Sequence, residues 1–251
     1  MRKLFTLAVV LLCVVSAQAA ELTVADVLAK NAEAKGGLDK IKALKSAKFT
    51  GKLQMGGMEL PFTMTSARPE KLRVEFTVQG MTGVQAYDGT MGWAVMPFMG
   101  KKDPEPMTDD MLKQIKEQAD FDGPLVDAEK KGNKIELLGK EKIEGTDAYK
   151  LKVTKKDGTE QNFFLDAESF LEIKVEAKQM VQGQEIEGET VLGNYQEVGG
   201  LLFPMSIESK AKGQAKAMMS ITWDKIDLDP AVSDDLFAMP KKAAAPPETK
   251  Q

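Results

Sequence analysis

The chain has 251 residues, a formal charge of −4, 43% hydrophobic and 29% charged residues, no histidine, and one cysteine, Cys13, in its apolar N-terminal stretch. Outside that stretch these absences exclude a thiolate nucleophile, a Ser-His-Asp triad, an imidazole base and thiolate or imidazole zinc ligation. An acidic balance with lysines scattered along the chain also argues against a nucleic-acid partner.

Residues 1–19 have the three parts of a secretion signal: basic Arg2 and Lys3, apolar Leu4 to Val15, and a small-x-small site at Ala17-Gln18-Ala19. As a helix the apolar part reaches only about 18 Å, short of a bilayer core of about 30 Å. Leu12, before Cys13, is not the small residue that a lipidation site requires. Cleavage and export are therefore expected. Without Arg2 and Lys3 the formal charge becomes −6, from 32 basic and 38 acidic residues. Residues 241–251, with Ala243-Ala244-Ala245-Pro246-Pro247, read as a disordered tail. The body, 20–240, lacks an internal linker or fixed-period repeat and reads as one domain.

Thr23 to Ala34 is predicted to be an amphipathic helix, started by Thr23 and Asp26 and stopped by Gly36-Gly37. A second short helix covers Leu38 to Leu44. From Ser46 the period becomes two: Phe49, Leu53 and Met55 alternate with polar residues, then Gly56-Gly57 turns into Met58, Leu60, Phe62 and Met64. Leu72, Val74, Phe76 and Val78 follow the same rule, as do Tyr149, Leu151 and Val153, and Leu171, Ile173, Val175 and Ala177. Further strands are expected over Ile186 to Leu192, Leu202 to Ser209 and Ala215 to Trp223. One apolar and one wet face per strand implies antiparallel sheet, and ten to twelve such strands curl or close. Met107 to Ala119 alone returns to a helical period, with Thr108-Asp109-Asp110 as its start, and is the candidate lid.

Little here resembles catalytic machinery. Asp109-Asp110 and Asp234-Asp235 suit helix or turn starts, and Asp120-Phe121-Asp122-Gly123 lacks the remaining ligands of a calcium loop. No metal, cofactor or catalytic residue is assigned. Nine of the fifteen methionines fall between residues 55 and 111. Methionine fills irregular gaps, and it also accommodates ligands of variable shape.

Three ordered segments carry a family resemblance: Ala67-Arg68-Pro69-Glu70-Lys71-Leu72-Arg73-Val74-Glu75-Phe76, then Tyr87-Asp88-Gly89-Thr90-Met91-Gly92-Trp93 with Pro97-Phe98, then Asp235-Leu236-Phe237-Ala238-Met239-Pro240. In order and spacing they resemble the periplasmic LolA/LolB-like lipoprotein carriers, over about residues 22–240. The resemblance implies a mainly β fold with helices, an unclosed antiparallel barrel around an apolar cavity with a helical lid. It implies a carrier, not an enzyme, that binds acyl chains of lipid-modified proteins or free lipids for transfer toward the outer membrane. An inner-membrane donor complex and an outer-membrane acceptor would be its partners, and a monomer is expected. The longer chain, the Ala-Lys-Gly-Gly after the first helix and the Gly199-Gly200-Leu201-Leu202-Phe203-Pro204 turn mark a divergent branch.

The family's Arg-Pro arginine maps to Arg68, with a role in opening and transfer. By parity with Met58, Leu60, Phe62 and Met64, the Arg68 side chain leaves the apolar face. It is either a strand-end residue in solvent, or paired with Glu70 or Glu75, or a donor to lid carbonyls at a cavity mouth. Arg73 has the polar parity and reads as a surface residue. The candidate cavity and lid residues are Arg68, Met58, Leu60, Phe62, Met64, Trp93, Met96, Phe98 and Met111, with Trp93 and Phe98, as a pair, read as core in preference to direct ligand contacts. Two other readings are a sensor or scaffold that detects lipid or lipoprotein and signals through a protein partner, and a two-carboxylate hydrolase. The chain has no room for an extra partner domain, and its placeable acidic residues lie on polar parities or in turns.

Overall fold

A computed structural model describes residues 21–181 and 184–240. The leader assigned to residues 1–19 and the tail 241–251 lie outside the described residues. Helix α1 (Val24–Ala34) starts with a full capping box: Thr23 N–H donates to the Asp26 carboxylate at 2.9 Å, and Asp26 N–H donates back to the Thr23 hydroxyl at 3.2 Å. Gly36 ends it at φ +111°, and a β-carbon there would overlap the Gly200 carbonyl oxygen. This close approach is what the Gly-Gly stop provides. Helix α2 (Leu38–Ala43) follows.

The strands form one antiparallel sheet. Those preceding the third helix are β1 (Ser46–Met55), β2 (Met58–Ala67), β3 (Lys71–Val78), β4 (Met81–Tyr87), β5 (Gly92–Met96) and β6 (Lys101–Pro106). Helices α3 (Asp109–Ala119) and α4 (Ala128–Lys131) intervene. The remainder are β7 (Lys134–Ile143), β8 (Thr146–Thr154), β9 (Glu160–Asp166), β10 (Glu172–Val181), β11 (Gln184–Val198), β12 (Leu201–Ala211) and β13 (Met219–Leu228). Their order is β6-β5-β4-β3-β2-β1-β13-β12-β11-β10-β9-β8-β7, so the sheet is not closed and its free edges are β6 and β7. The edges carry charges, and β6 adds Pro104 and Pro106, which hinder edge-to-edge pairing.

Among the described residues there are thirteen strands, not ten to twelve. Strand β6, Lys-Lys-Asp-Pro-Glu-Pro, has no apolar alternation to read, and β7 breaks its register between Leu137 and Lys140. Strand β13 begins at Met219 rather than Ala215, because 212–218 form its turn.

The apolar parities of β1–β3, β12 and β13 build the largest core on the concave face, with Leu53, Phe62, Leu72, Met205 and Trp223. Helix α3 lays Ile115 and Ala119 on this core. Helix α1 buries Val27 against Leu151, Val153, Phe163 and Leu165 of β8 and β9. Helices thus cover the two flanks and leave the middle of the concave face open beneath them.

The opposite face of β4 and β5 is also covered, by the chain's own C-terminal segment. Val84, Ala86 and Trp93 pack with Met239, and Trp93 Nε1 donates to the Phe237 carbonyl at 2.8 Å. Arg73 is half-buried here, not a plain surface residue. It donates to the Leu236 carbonyl at 3.0 Å and to Glu75 at 2.7 Å, and its guanidinium lies 5.8 Å from the Trp93 ring. Polar parity on β3 faces this covered side, which sequence alternation alone does not reveal.

Candidate functional site

Between the helical flanks lies a cavity of about 510 Å³, within the range of about 300–1,000 Å³ usual for small-ligand sites. Its floor is sheet. Phe49, Met64 and Trp223 come from β1, β2 and β13, and Leu192, Phe203 and Ile207 from β11 and β12. Phe49 sets its ring edge-on to Phe203 at 5.9 Å and lies 5.3 Å from the Trp223 ring. Its roof is two separate segments: Ile41 and Leu44 at the end of α2, and Phe121 to Pro124 after α3.

One residue joins the two halves of the roof. Arg68, just past the end of β2, donates from Nε to the Leu44 carbonyl at 2.6 Å and from Nη2 to the Ile41 carbonyl at 2.9 Å. Nη1 and Nη2 also grip both oxygens of Asp122, at 2.7 and 2.5 Å. The guanidinium carbon lies 4.9 Å from the Phe121 ring centre. Carbonyls in the last turn of a helix lack intrahelical partners, so a cation there is well placed. The bidentate carboxylate grip is the strong form of this ion pair. Hydrogen bonding to Asp122 pushes the Arg68 guanidinium further up, outweighing its partial burial, so it stays charged.

The cavity has one polar corner. Lys35 and the buried Glu172 form an ion pair at 2.8 Å, and the Tyr195 hydroxyl donates to the Glu172 backbone carbonyl at 2.7 Å. Burial first, then the nearby Glu172 carboxylate, pushes the Tyr195 hydroxyl up, so it remains a neutral donor. The Asp120–Gly123 segment spends its carboxylates on cations: Asp120 on Lys131 at 2.5 Å and Asp122 on Arg68. Among the described residues no cluster of three or more His, Cys, Asp or Glu is arranged to hold a metal.

Of the residues singled out from sequence, Met64 lines the cavity and Arg68 ties its roof. Leu60 and Phe62 are buried in the adjoining concave core, where Phe62 stacks on the cavity-lining Trp223 at 5.3 Å. The others lie elsewhere. Met58 is 48% exposed at a hairpin tip. Phe98 packs against Phe76 at 5.5 Å, and both Phe98 and Met96 crowd Gly83 at the far flank. Met111, in the first turn of α3, is half-buried outside the lining, and Trp93 is on the convex side. Sequence reasoning missed the roof residues Ile41, Leu44, Phe121 and Asp122, and the floor residues Tyr195, Phe203 and Ile207. Phe203 and Ile207 were legible as apolar strand positions; nothing in the sequence placed them opposite Phe121.

No protein-family model and no curated protein matches the chain. Solved structures do. A DUF1329 family protein from Desulfovibrio piger superposes with a TM-score of 0.60 at 14% identity, over 86% of this chain and 97% of that one. A LolA superfamily protein from Nitrosomonas europaea gives 0.58 at 16% identity, over 87% and 98%. A Vibrio parahaemolyticus domain assigned to outer-membrane lipoprotein sorting gives 0.56 at 13% identity, over 79% and 93%. The unclosed antiparallel sheet with helices over its concave face is thus a LolA-like fold.

Proposed function

We propose that this protein is an exported, periplasmic carrier that holds an acyl chain, from a lipid-modified protein or a free lipid, for delivery toward the outer membrane. The observation that carries this reading is an apolar cavity whose two roof segments are joined through one arginine, Arg68. In this reading the chain is not an enzyme and needs no cofactor. The Vibrio relative's assignment to lipoprotein sorting adds support.

Energetics fit transfer better than storage. Full burial of a sixteen-carbon chain gains about 12 kcal/mol at about 0.8 kcal/mol per methylene, too much for ready release. A cavity of about 510 Å³ that must open its roof to admit cargo offsets part of that gain. Reclosing Arg68 onto Ile41, Leu44 and Asp122 then helps expel the chain.

Native mass spectrometry of the protein purified from its export compartment tests the reading, together with uptake of a fluorescent fatty acid. Co-purifying lipid or lipoprotein, or saturable uptake, supports the carrier. A well-folded protein that is empty and takes up no fatty acid defeats it.

A further inference from the structure

Among the described residues, six of the eight exposed large hydrophobic side chains are methionines. Met91 lies in the β4–β5 connection, at the opposite end of the sheet from the other five, Met55, Met58, Met81, Met99 and Met218. All five sit at one end of the sheet. Met55 faces Met58 across the β1–β2 hairpin, and Met81 faces Val78 across β3–β4. Met99 lies in the β5–β6 connection and Met218 in the β12–β13 connection. These four hairpins are consecutive in the sheet order β6-β5-β4-β3-β2-β1-β13-β12. Eight strands at about 4.8 Å spacing place the tips along an arc of about 34 Å.

The composition of these tips differs from that of the whole chain. Segments 55–58, 79–81, 97–102 and 212–218 contain four lysines and no aspartate or glutamate, although the chain as a whole is acidic. Lys101 pairs with Glu105 of its own strand and Lys212 with Glu176 of β10 and Glu187 of β11, whereas Lys102 and Lys216 have no ion-pair partner among the described residues. The β8–β9 tip at the same end, Lys155 to Thr159, carries no apolar residue. Exposed methionines flanked by unpaired lysines suit the boundary between acidic headgroups and acyl chains, where the thioether is buried and the ammonium stays at the surface. The rim is also continuous with the concave face: behind Met55 on β1 comes Leu53, then Phe49 of the cavity.

We propose that this methionine rim docks the protein on an anionic phospholipid bilayer, turning the apolar concave face toward the lipid. Docking stands on the rim itself, while its use in loading or delivery rests on the carrier reading above.

The test is flotation of the leader-free protein with phosphatidylcholine vesicles, with and without phosphatidylglycerol. Binding is expected to anionic vesicles, weaker to neutral ones and at raised salt. The combined variant M55S/M58S/M81S/M99S/M218S should bind at least tenfold more weakly, with its thermal midpoint and its uptake of vesicle-free fluorescent fatty acid unchanged. K102E/K216E should remove the preference for anionic vesicles. Absence of flotation by the unsubstituted protein, or undiminished flotation by the methionine variant, overturns the proposal. Undiminished flotation with a loss of self-association in sedimentation would assign the rim to a second copy of the chain instead. Flotation without fatty-acid uptake would defeat the carrier reading and leave the docking surface standing.

Discussion

Replacing Arg68 with leucine should loosen the roof and slow the release of cargo. The substitution removes four hydrogen bonds that join the end of α2, through Ile41 and Leu44, to Asp122 after α3. Hydrogen bonds to charged groups contribute about 1.5–3 kcal/mol each when desolvated. A pair broken in the interior costs about 3–5 kcal/mol, and one at the surface under about 1. With side-chain exposures of 28% and 13% for Arg68 and Asp122, and water able to reach the freed carbonyls, about 2–4 kcal/mol is expected for roof closure. That corresponds to about 30- to 1,000-fold in the closing equilibrium. Hydrogen exchange should therefore accelerate in 41–45 and 118–124, with core amides of β8 and β9 unchanged. A fluorescent fatty acid should leave for acceptor vesicles at least about 30-fold more slowly, because reclosure no longer competes with it. Unchanged exchange in the roof, or release at the unsubstituted rate, would refute the reasoning. Acceleration spread evenly over the whole sheet would show that Arg68 supports the fold rather than the roof.

Three further outcomes are expected. Leu192→Trp places an indole in the cavity and should cut fatty-acid uptake about tenfold or more, with the melting temperature nearly unchanged; titration with the fluorescent ligand checks this. Phe237→Ala empties a fully buried site beneath the C-terminal segment and should cost about 3–5 kcal/mol. At about 2–4 °C per kcal/mol that is a fall of about 6–20 °C in Tm, read by calorimetry alongside a changed Trp93 emission. Glu176 lies 2.7 Å from Lys174 and 3.3 Å from Lys212. Burial alone would raise its carboxyl, but hydrogen bonding and attraction to the two lysines outweigh this and hold it below the ordinary 4.5. Its folded value being the lower one, its stabilisation is present above 4.5 and is lost as pH falls through the folded value. Glu176→Gln should flatten that acid limb in urea denaturation measured across pH.

Local structure here follows from residues close together in the chain. Thr23 and Asp26 set the start of α1, Gly56-Gly57 the β1–β2 turn at φ 60° and 82°, and period-two alternation the strands. The same parity sent the Arg68 side chain off the apolar face with Met64. Alternation separates two faces without saying what covers either, since side chains simply alternate along a strand. That segment 236–239 covers the convex side of β4 and β5, burying Trp93 away from the cavity and half-burying Arg73, is settled by tertiary contacts. They also bring β1 beside β13 and Asp122 to Arg68, 54 residues away. Contacts that close such long loops depend on the order of the strands in the sheet, and no local period encodes that order. The cavity roof is made of such contacts, so Arg68 was legible as a donor and its acceptors were not.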